Sequence, residues 1–571
     1  NSDTQIDDRF SQNTKGNMSY GLSFGRDNYI SPFKWFKWMP WLGKRIVDGR
    51  LYYTPSSIDM SANASETMTE TTPRVGESKS QYNLGLNRTF KIGYTILDNL
   101  KSSFTKTIKS DMDSYRARYL QALKNLKPGV VTDVSDNMTT TFTPALTDWL
   151  KPTFNYSSNY RWAKPMESTQ EGANITSQGR FSSSLSISPK SIVETFYTPQ
   201  QRQPRRRSRR GGRTKVTPAE EEKEAKEPKS EALKKILKLL HGGASRINPI
   251  SFTYSENRSQ NAFGVIDSVR SGDSLRVVPG RADLPFRLGF SDELGLNRSS
   301  EVGVNRGSVK HQRDFSLRSG LALTRKITTN FNFSSSQASG VDGNNVQTRT
   351  QTRDFLPLGV TGSDGMPFGG WSIRWSGVEQ WPLIKAVSRS ATLEHAFAGK
   401  ETRAWKDDVL QSSKYTASYS PLAGLSMTLF KGISVTSRYS IVSSFDNRFG
   451  GINSTRVKTD RTWTLSSNYA HRGGLHIPIF FFRDFDLDNT INFTLTIDFS
   501  ESITRERNDL QYELSTTDER KSWKISPRIS YSFSQRLTGG VWYEYRDSHS
   551  KIVGRKVDRD FGFNINLTLQ G

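Results

Sequence analysis

Strict alternation of apolar and polar residues near the C-terminus does most to narrow the folds open to this chain. From Trp523 onward, Ile525, Pro527, Ile529, Tyr531 and Phe533 fall on every second residue, with Lys524, Ser526, Arg528, Ser530, Ser532 and Ser534 between them. After the turn-forming Gly539 and Gly540, Val541, Tyr543 and Tyr545 share one side while Trp542, Glu544 and Arg546 share the other. Phe561, Phe563, Ile565, Leu567 and Leu569 then alternate against Gly562, Asn564, Asn566, Thr568 and Gln570. Successive side chains of a strand point to opposite faces, so each segment is an apolar ribbon backed by a mostly polar one. Two architectures accept such ribbons: a sandwich whose apolar face is a packed core, or a membrane barrel whose apolar face meets lipid and whose polar face lines water.

Composition bears on that choice. Only 34% of the 571 residues are apolar, yet 11% are aromatic, and the mean hydropathy is −0.63. Strands with one wet face suit this balance better than a thick core does. No uncharged apolar run reaches about 18 residues, so a helical span is excluded and only a barrel could cross a bilayer. Cysteine is absent, which removes disulfides, zinc-thiolate sites and thiol nucleophiles. The net charge of +24 points to nucleic acid, anionic lipid or an acidic passenger as neighbour. A start at Asn1 without Met or a basic-then-apolar leader implies a processed or excised piece.

The rule is already present at Met18, Tyr20, Leu22 and Phe24. Phe33 to Leu42 (FKWFKWMPWL) then offers Trp35, Trp38 and Trp41 as aromatics for a membrane-water interface, or a turn folded over a small cluster. Met112, Tyr115, Tyr119, Leu120 and Leu123 recur at helical spacing, predicting a short helix over Asp111 to Leu126. Arg202 to Arg213 and Glu220 to Glu227 form opposite charge blocks with nothing apolar to bury, so 199–229 is expected to be a disordered loop. Leu233, Ile236, Leu237 and Leu240 lie on one helical face after it, with Ser230 as cap and Gly242 and Gly243 as stop. Strand rhythm resumes at Ile250 and returns at Trp371 to Trp375, Leu425 to Leu429, Ile433 to Ile441, Trp463 to Tyr469 and Ile491 to Phe499. The polar stretches Ser334 to Thr352 and Ser502 to Lys521 read as long outer loops. The chain thus divides into barrel strands over 1–198, a charged loop with a short helix over 199–243, and barrel strands over 244–571.

Arrangements that could carry chemistry are weak. His471 and His476 have no third zinc ligand nearby and read as loop residues. Asp484, Asp486 and Asp488 open like a calcium loop, but Asn489 stands where glycine is needed and Leu495 where glutamate is needed, which leaves a solvated turn. The glycines of Gly359 to Gly370 lack the Gly-Lys-Ser/Thr of a phosphate loop. No nucleophile, base and orienting group assemble, so no enzyme, cofactor or metal site is expected. The arginine run lacks interleaved aromatics and is flanked by acid, so nucleic acid is not expected as a partner.

Several stretches resemble the SprA-like outer-membrane translocon family of the type IX secretion and gliding-motility system. The most specific is Gly369 to Gly399 (GGWSIRWSGVEQWPLIKAVSRSATLEHAFAG), although Gly370 precedes Trp371 where that family has Asn. Arg50 to Asn63, Pro152 to Trp162, Pro249 to Gly264 and Ser526 to Ser548 reinforce it in order along the chain. The resemblance implies the C-terminal part of a very large barrel in the outer membrane of a Gram-negative bacterium. It also implies a passive conduit for folded cargo proteins, gated by plug and gating partners. Alternatives are a lipopolysaccharide-assembly or porin-like barrel, or a soluble β-sandwich adhesin.

The expectation is therefore an all-β chain forming a large antiparallel transmembrane β-barrel or part of one. Its predicted lipid-facing residues are Trp523, Ile525, Ile529, Tyr531, Phe533, Val541, Tyr543, Tyr545, Phe561, Phe563, Ile565, Leu567 and Leu569. Deleting 199–229 should leave assembly intact, because its charge blocks satisfy each other in water. Hydrogen exchange of its amides should be fast, and slow exchange or loss of the fold on deletion would count against the loop.

Overall fold

The computed structural model describes residues 8–32, 49–72, 77–116, 129–144, 146–164, 172–197, 231–266, 282–298, 307–358, 365–473, 475–479, 482–487, 489–533 and 536–567. Trp35, Trp38, Trp41, Leu569, the charged loop 199–229 and most of the helix expected over 111–126 lie outside these residues. What is described is all-β and antiparallel, as the alternation requires. The chain forms two compact units, each discontinuous in sequence.

The first unit takes residues 1–187, 252–315 and 337–349. Its strands are β1 (Asp8–Ser23), β2 (Tyr29–Ile30), β3 (Leu51–Tyr52), β4 (Ser57–Thr72), β5 (Lys79–Leu97), β6 (Leu100–Asp111), β7 (Val130–Phe142), β8 (Leu150–Ala163) and β9 (Ala173–Ile187), with most of β10 (Ile250–Ile266) and with β11 (Asn297–Arg298). The long ones pair antiparallel in the order β1, β4, β5, β6, β7, β8, β9, and β10 pairs with β9. Met112, at the start of the expected helix, is buried against Leu84 and Leu86. A single 3-10 turn, Asp113–Tyr115, follows it in the described residues.

One face of this unit carries a lid. The segment 282–296, which contains the one-turn helix α3 (Leu284–Arg287), buries Phe286 and Leu294 on Tyr160, Trp162, Ile175 and Val265. Arg287 Nε donates to Asp136 over 2.9 Å, and the Ser177 hydroxyl donates to the Phe286 carbonyl over 2.6 Å. Tyr156 donates to the Leu288 carbonyl and stacks on Phe290 at 4.9 Å. The close approach depends on two glycines. A Cβ on Gly289 would sit 2.6 Å from the backbone of Gly179, and Gly289 has φ +75°, a conformation other residues enter at a cost.

The second unit takes residues 188–251, 316–336 and 350–571. It holds parts of β12 (Ser308–Ala322), β13 (Ile327–Val341) and β14 (Gln347–Asp354), then β15 (Leu356–Pro357), β16 (Gly365–Met366), β17 (Gly370–Ser376), β18 (Ser388–Lys406), β19 (Val409–Leu429) and β20 (Ser434–Arg448). It continues with β21 (Ser454–His471), β22 (Leu475–Ile479), β23 (Phe482–Leu487), β24 (Ile491–Asn508), β25 (Ser515–Ser532), β26 (Leu537–Ser550) and β27 (Gly554–Leu567). The pairing runs β13, β17, β18, β19, β20, β21, β24, β25, β26, β27, with β22 and β23 as a separate hairpin. Asp407 and Asp408, with φ 48° and 61°, turn β18 tightly into β19. Positive φ at both central residues matches the right-handed twist of the flanking strands. The helices α1 (Pro189–Phe196), α2 (Glu231–Ala244) and α4 (Pro382–Lys385) also belong to this unit.

Several expectations need correction. Ser334 to Thr352 and Ser502 to Lys521 are not long loops. Both are mostly strand, in β13 with β14 and in β24 with β25, joined by short turns. Backbone pairing continues whatever the side chains are, and strands wet on both faces keep no apolar alternation. His471 closes β21, and His476 pairs in β22 with Asp486 of β23, so neither histidine is in a loop and Asp484 and Asp486 are in a strand rather than a turn. Helix α2 runs through Gly242 and Gly243 to Ala244.

Replacing Phe286 by Ala should cost about 3 to 5 kcal/mol of local stability. Hydrogen exchange over 284–294 should then accelerate, whereas Leu383→Ala, at a side chain 90% exposed, should leave exchange unchanged.

Candidate apolar and polar walls

The residues that could do something here are spread over two faces of the sheet, and the registers of the second unit show how. Trp463, Phe499 and Trp523 lie opposite one another across β21, β24 and β25. The next row is Leu465, Ile497, Ile525 and Tyr545. Tyr469, Phe493, Ile529, Val541 and Phe563 form another, and Ile491, Tyr531, Gly539 and Ile565 the last. Phe499 and Trp523 rings are 4.8 Å apart, and Trp371, Phe397 and Tyr419 extend the band at 4.4 and 5.0 Å. On β24 and β25 the band is about nine to eleven residues tall, the span a tilted strand needs to cross a hydrocarbon core.

Charge ends the band on one side. The residue after Phe499 on this face is Glu501, which meets Arg461 at 2.9 Å and Lys521 at 3.4 Å. Asp547, opposite Trp523, pairs with Arg555 at 2.7 Å. Alternation alone treats these positions as more of the same face, although their residue types signal the boundary. At the other end of the strands, Trp375 of β17 meets Trp381 edge-on at 5.2 Å. There Glu379 is held below the usual carboxylate range by backbone N–H donors, its own first and then that of Ala391 at 3.1 Å.

The opposite face is polar and internally paired. Glu544 meets Lys524 at 2.8 Å and Arg546 at 3.3 Å. Arg438 reaches Glu394 at 3.2 Å, and the Ser500 and Ser522 hydroxyls are 2.7 Å apart. Exposure is inverted with respect to a water-soluble sheet. On β25, Trp523 (47%), Ile525 (37%) and Ile529 (47%) are exposed, while Ser522, Lys524, Ser526 and Ser530 of the other face are half-buried and Arg528 there is exposed.

Every described member of the predicted set shares the band's face: Trp523, Ile525, Ile529 and Tyr531 on β25, Phe533 just past its end, Val541, Tyr543 and Tyr545 on β26, and Phe561, Phe563, Ile565 and Leu567 on β27. The first unit has its own band, with Tyr20 opposite Met60 and Phe90, and Leu22 in one row with Ile58, Ile92, Phe104 and Met138. What periodicity missed was the lid over that band and the tryptophan pair at Trp375. Among the described residues no group of three or more His, Cys, Asp or Glu side chains could hold a metal ion.

No family model matches this chain, and no curated protein does. Among solved structures it is similar to a ferric enterobactin receptor (PfeA) mutant from Pseudomonas aeruginosa, at TM-score 0.21 and 7% identity, covering 98% of this chain and 80% of that one. It is also similar to the siderophore receptor PirA from Acinetobacter baumannii, at TM-score 0.19 and 8% identity, covering 94% and 76%. Superpositions at that level carry no argument about fold or function.

The two faces should respond oppositely to charge. Ile565→Arg should cost about 2 to 4 kcal/mol if it sits near mid-membrane, and Asn566→Arg on the other face should be tolerated. Heat-resistant migration in detergent gels after refolding into lipid compares the two. Equal yields would remove the assignment of this face to lipid.

Proposed function

We propose that this chain is a pore-forming part of an outer-membrane protein-conducting channel, with the apolar band against lipid and the polar face toward a watery lumen. The observation that carries this reading is the inverted exposure on β25. Bare Trp523, Ile525 and Ile529 beside half-buried Lys524 and Ser526 would be an aggregation hazard in water and are at home in hydrocarbon. The charges at Glu501, Lys521 and Asp547 sit where the band gives way to water. A soluble sandwich is disfavoured because its apolar faces would be covered.

The finer reading, a type IX secretion translocon passing folded cargo, rests on the ordered family resemblance. A passive conduit asks only for a wet, unreactive wall, and the paired Glu544–Lys524 and Glu394–Arg438 groups supply one. In this reading further strands of the full-length protein pair with the outer edges of β1 and β27, and partner proteins plug and gate the pore.

Full-length protein in planar bilayers, freed of its partners, should conduct with little ion selectivity. Arg438→Glu together with Lys524→Glu should move the reversal potential toward cations. A lumen filled by its own side chains, or a sandwich with a dry core, would defeat the channel reading.

A further inference from the structure

Helix α2 has a placement that a mere connector between β9 and β10 does not need. Its C-terminal end is tied to the end of β12: the Ala322 N–H donates to the Arg246 carbonyl over 2.7 Å, the Asn248 N–H to the Gly320 carbonyl over 2.8 Å, and Ile247 bridges Leu321. That is the strand end where β13 begins with Ile327, opposite Trp375 of β17, so it is the margin of the apolar band marked by Trp375 and Trp381. Among the described residues helix α1, capped by the Ser188 hydroxyl accepting from the Ser191 N–H at 3.3 Å, flanks α2 on one side. There His241 Nε2 lies 3.5 Å from Glu194 and its ring meets Tyr197 edge-on at 6.2 Å. The arc of Ile236, Leu239 and Leu240 is left 57%, 77% and 50% exposed. Lys238, also exposed, falls on the opposite arc at 100° per residue, and exposed Lys235 borders the apolar arc beside Leu239.

We propose that α2 is an interfacial helix. Ile236, Leu239 and Leu240 would lie among the acyl chains at the band's margin, and Lys235 and Lys238 would reach the phosphates of anionic phospholipid. This inference rests on the membrane reading of the strands. Amphipathic helices with a basic polar face bind the headgroup region through buried apolar area plus attraction to anionic lipid. Lipid is favoured over a protein partner because the bare arc sits at the band's margin beside a tryptophan pair of the kind that settles at membrane-water interfaces, and because Lys238 faces away from the arc while Lys235 borders it, where its ammonium can extend to the headgroups.

The chain lacks cysteine, so single nitroxides can be placed on the whole protein in proteoliposomes of phosphatidylethanolamine with or without phosphatidylglycerol. Labels at Ile236→Cys and Leu240→Cys should be relaxed several-fold more by dissolved oxygen than by a water-soluble nickel chelate. The order should reverse at Lys238→Cys, and phosphatidylglycerol should sharpen the contrast. Nickel access at 236 and 240 equal to that at 238 would overturn the proposal, as would exclusion of both reagents, the mark of a protein or second copy seated there. Contrast indifferent to phosphatidylglycerol would overturn the choice of headgroup. A label at Ile565→Cys separates the two readings. If it senses lipid while 236 senses water, only the helix proposal fails, whereas water at both sites removes the membrane reading itself.

Discussion

Everything in this structure depends on the antiparallel backbone ladder. Each strand offers a row of N–H and C=O groups, and each row must find partners, because an unpaired group away from water costs several kcal/mol. Long uninterrupted registers such as that of Ser454–His471 with Ile491–Asn508 meet that demand along their length. Once the ladder has taken care of the main chain, the side chains are free to divide between two solvents. A slip of one residue would turn every apolar side chain to the other face. Rows as consistent as Leu465, Ile497, Ile525 and Tyr545 therefore report a pairing that is tightly specified.

The two faces solve different problems. In the second unit Arg461, Glu501, Lys521, Asp547 and Arg555 gather at the Trp463–Phe499–Trp523 end of the apolar face, where they pair with one another. The polar face keeps its charges half-neutralised in pairs such as Glu544 with Lys524. Pairs this exposed contribute little stability. Their consequence is a face that is hydrophilic with its described charges locally paired.

The apolar face of the first unit is not uniformly bare. Its lid covers Tyr160 and Trp162 with Phe286 and anchors itself through Arg287 on Asp136. Asp136 is almost wholly buried and also meets Lys106 at 3.2 Å, so losing Arg287 would leave its carboxylate with one cation in place of two. Gly179 and Gly289 then allow two backbones to meet where side chains would hold them apart. The lid thus converts a stretch of strand face into a small dry core, a different use of the alternation that elsewhere leaves apolar residues exposed.

Period-two alternation is written between residues i and i+2, so the sequence by itself determined that this chain makes strands and which residues share a face of each. The band on β25, β26 and β27 was legible for that reason, as was the apolar face of α2, whose period is also local. Ser502 to Lys521 misled because strands polar on both faces have no period to read, and Gly242 and Gly243 misled because a glycine only weakens a helix. The tertiary structure alone decided which strands are neighbours, where the band stops, and what covers Tyr160 and Trp162. Arg287 finds Asp136 across 151 residues of chain. No local pattern can encode that contact, because its energy exists only once the ladder has brought the distant segments together.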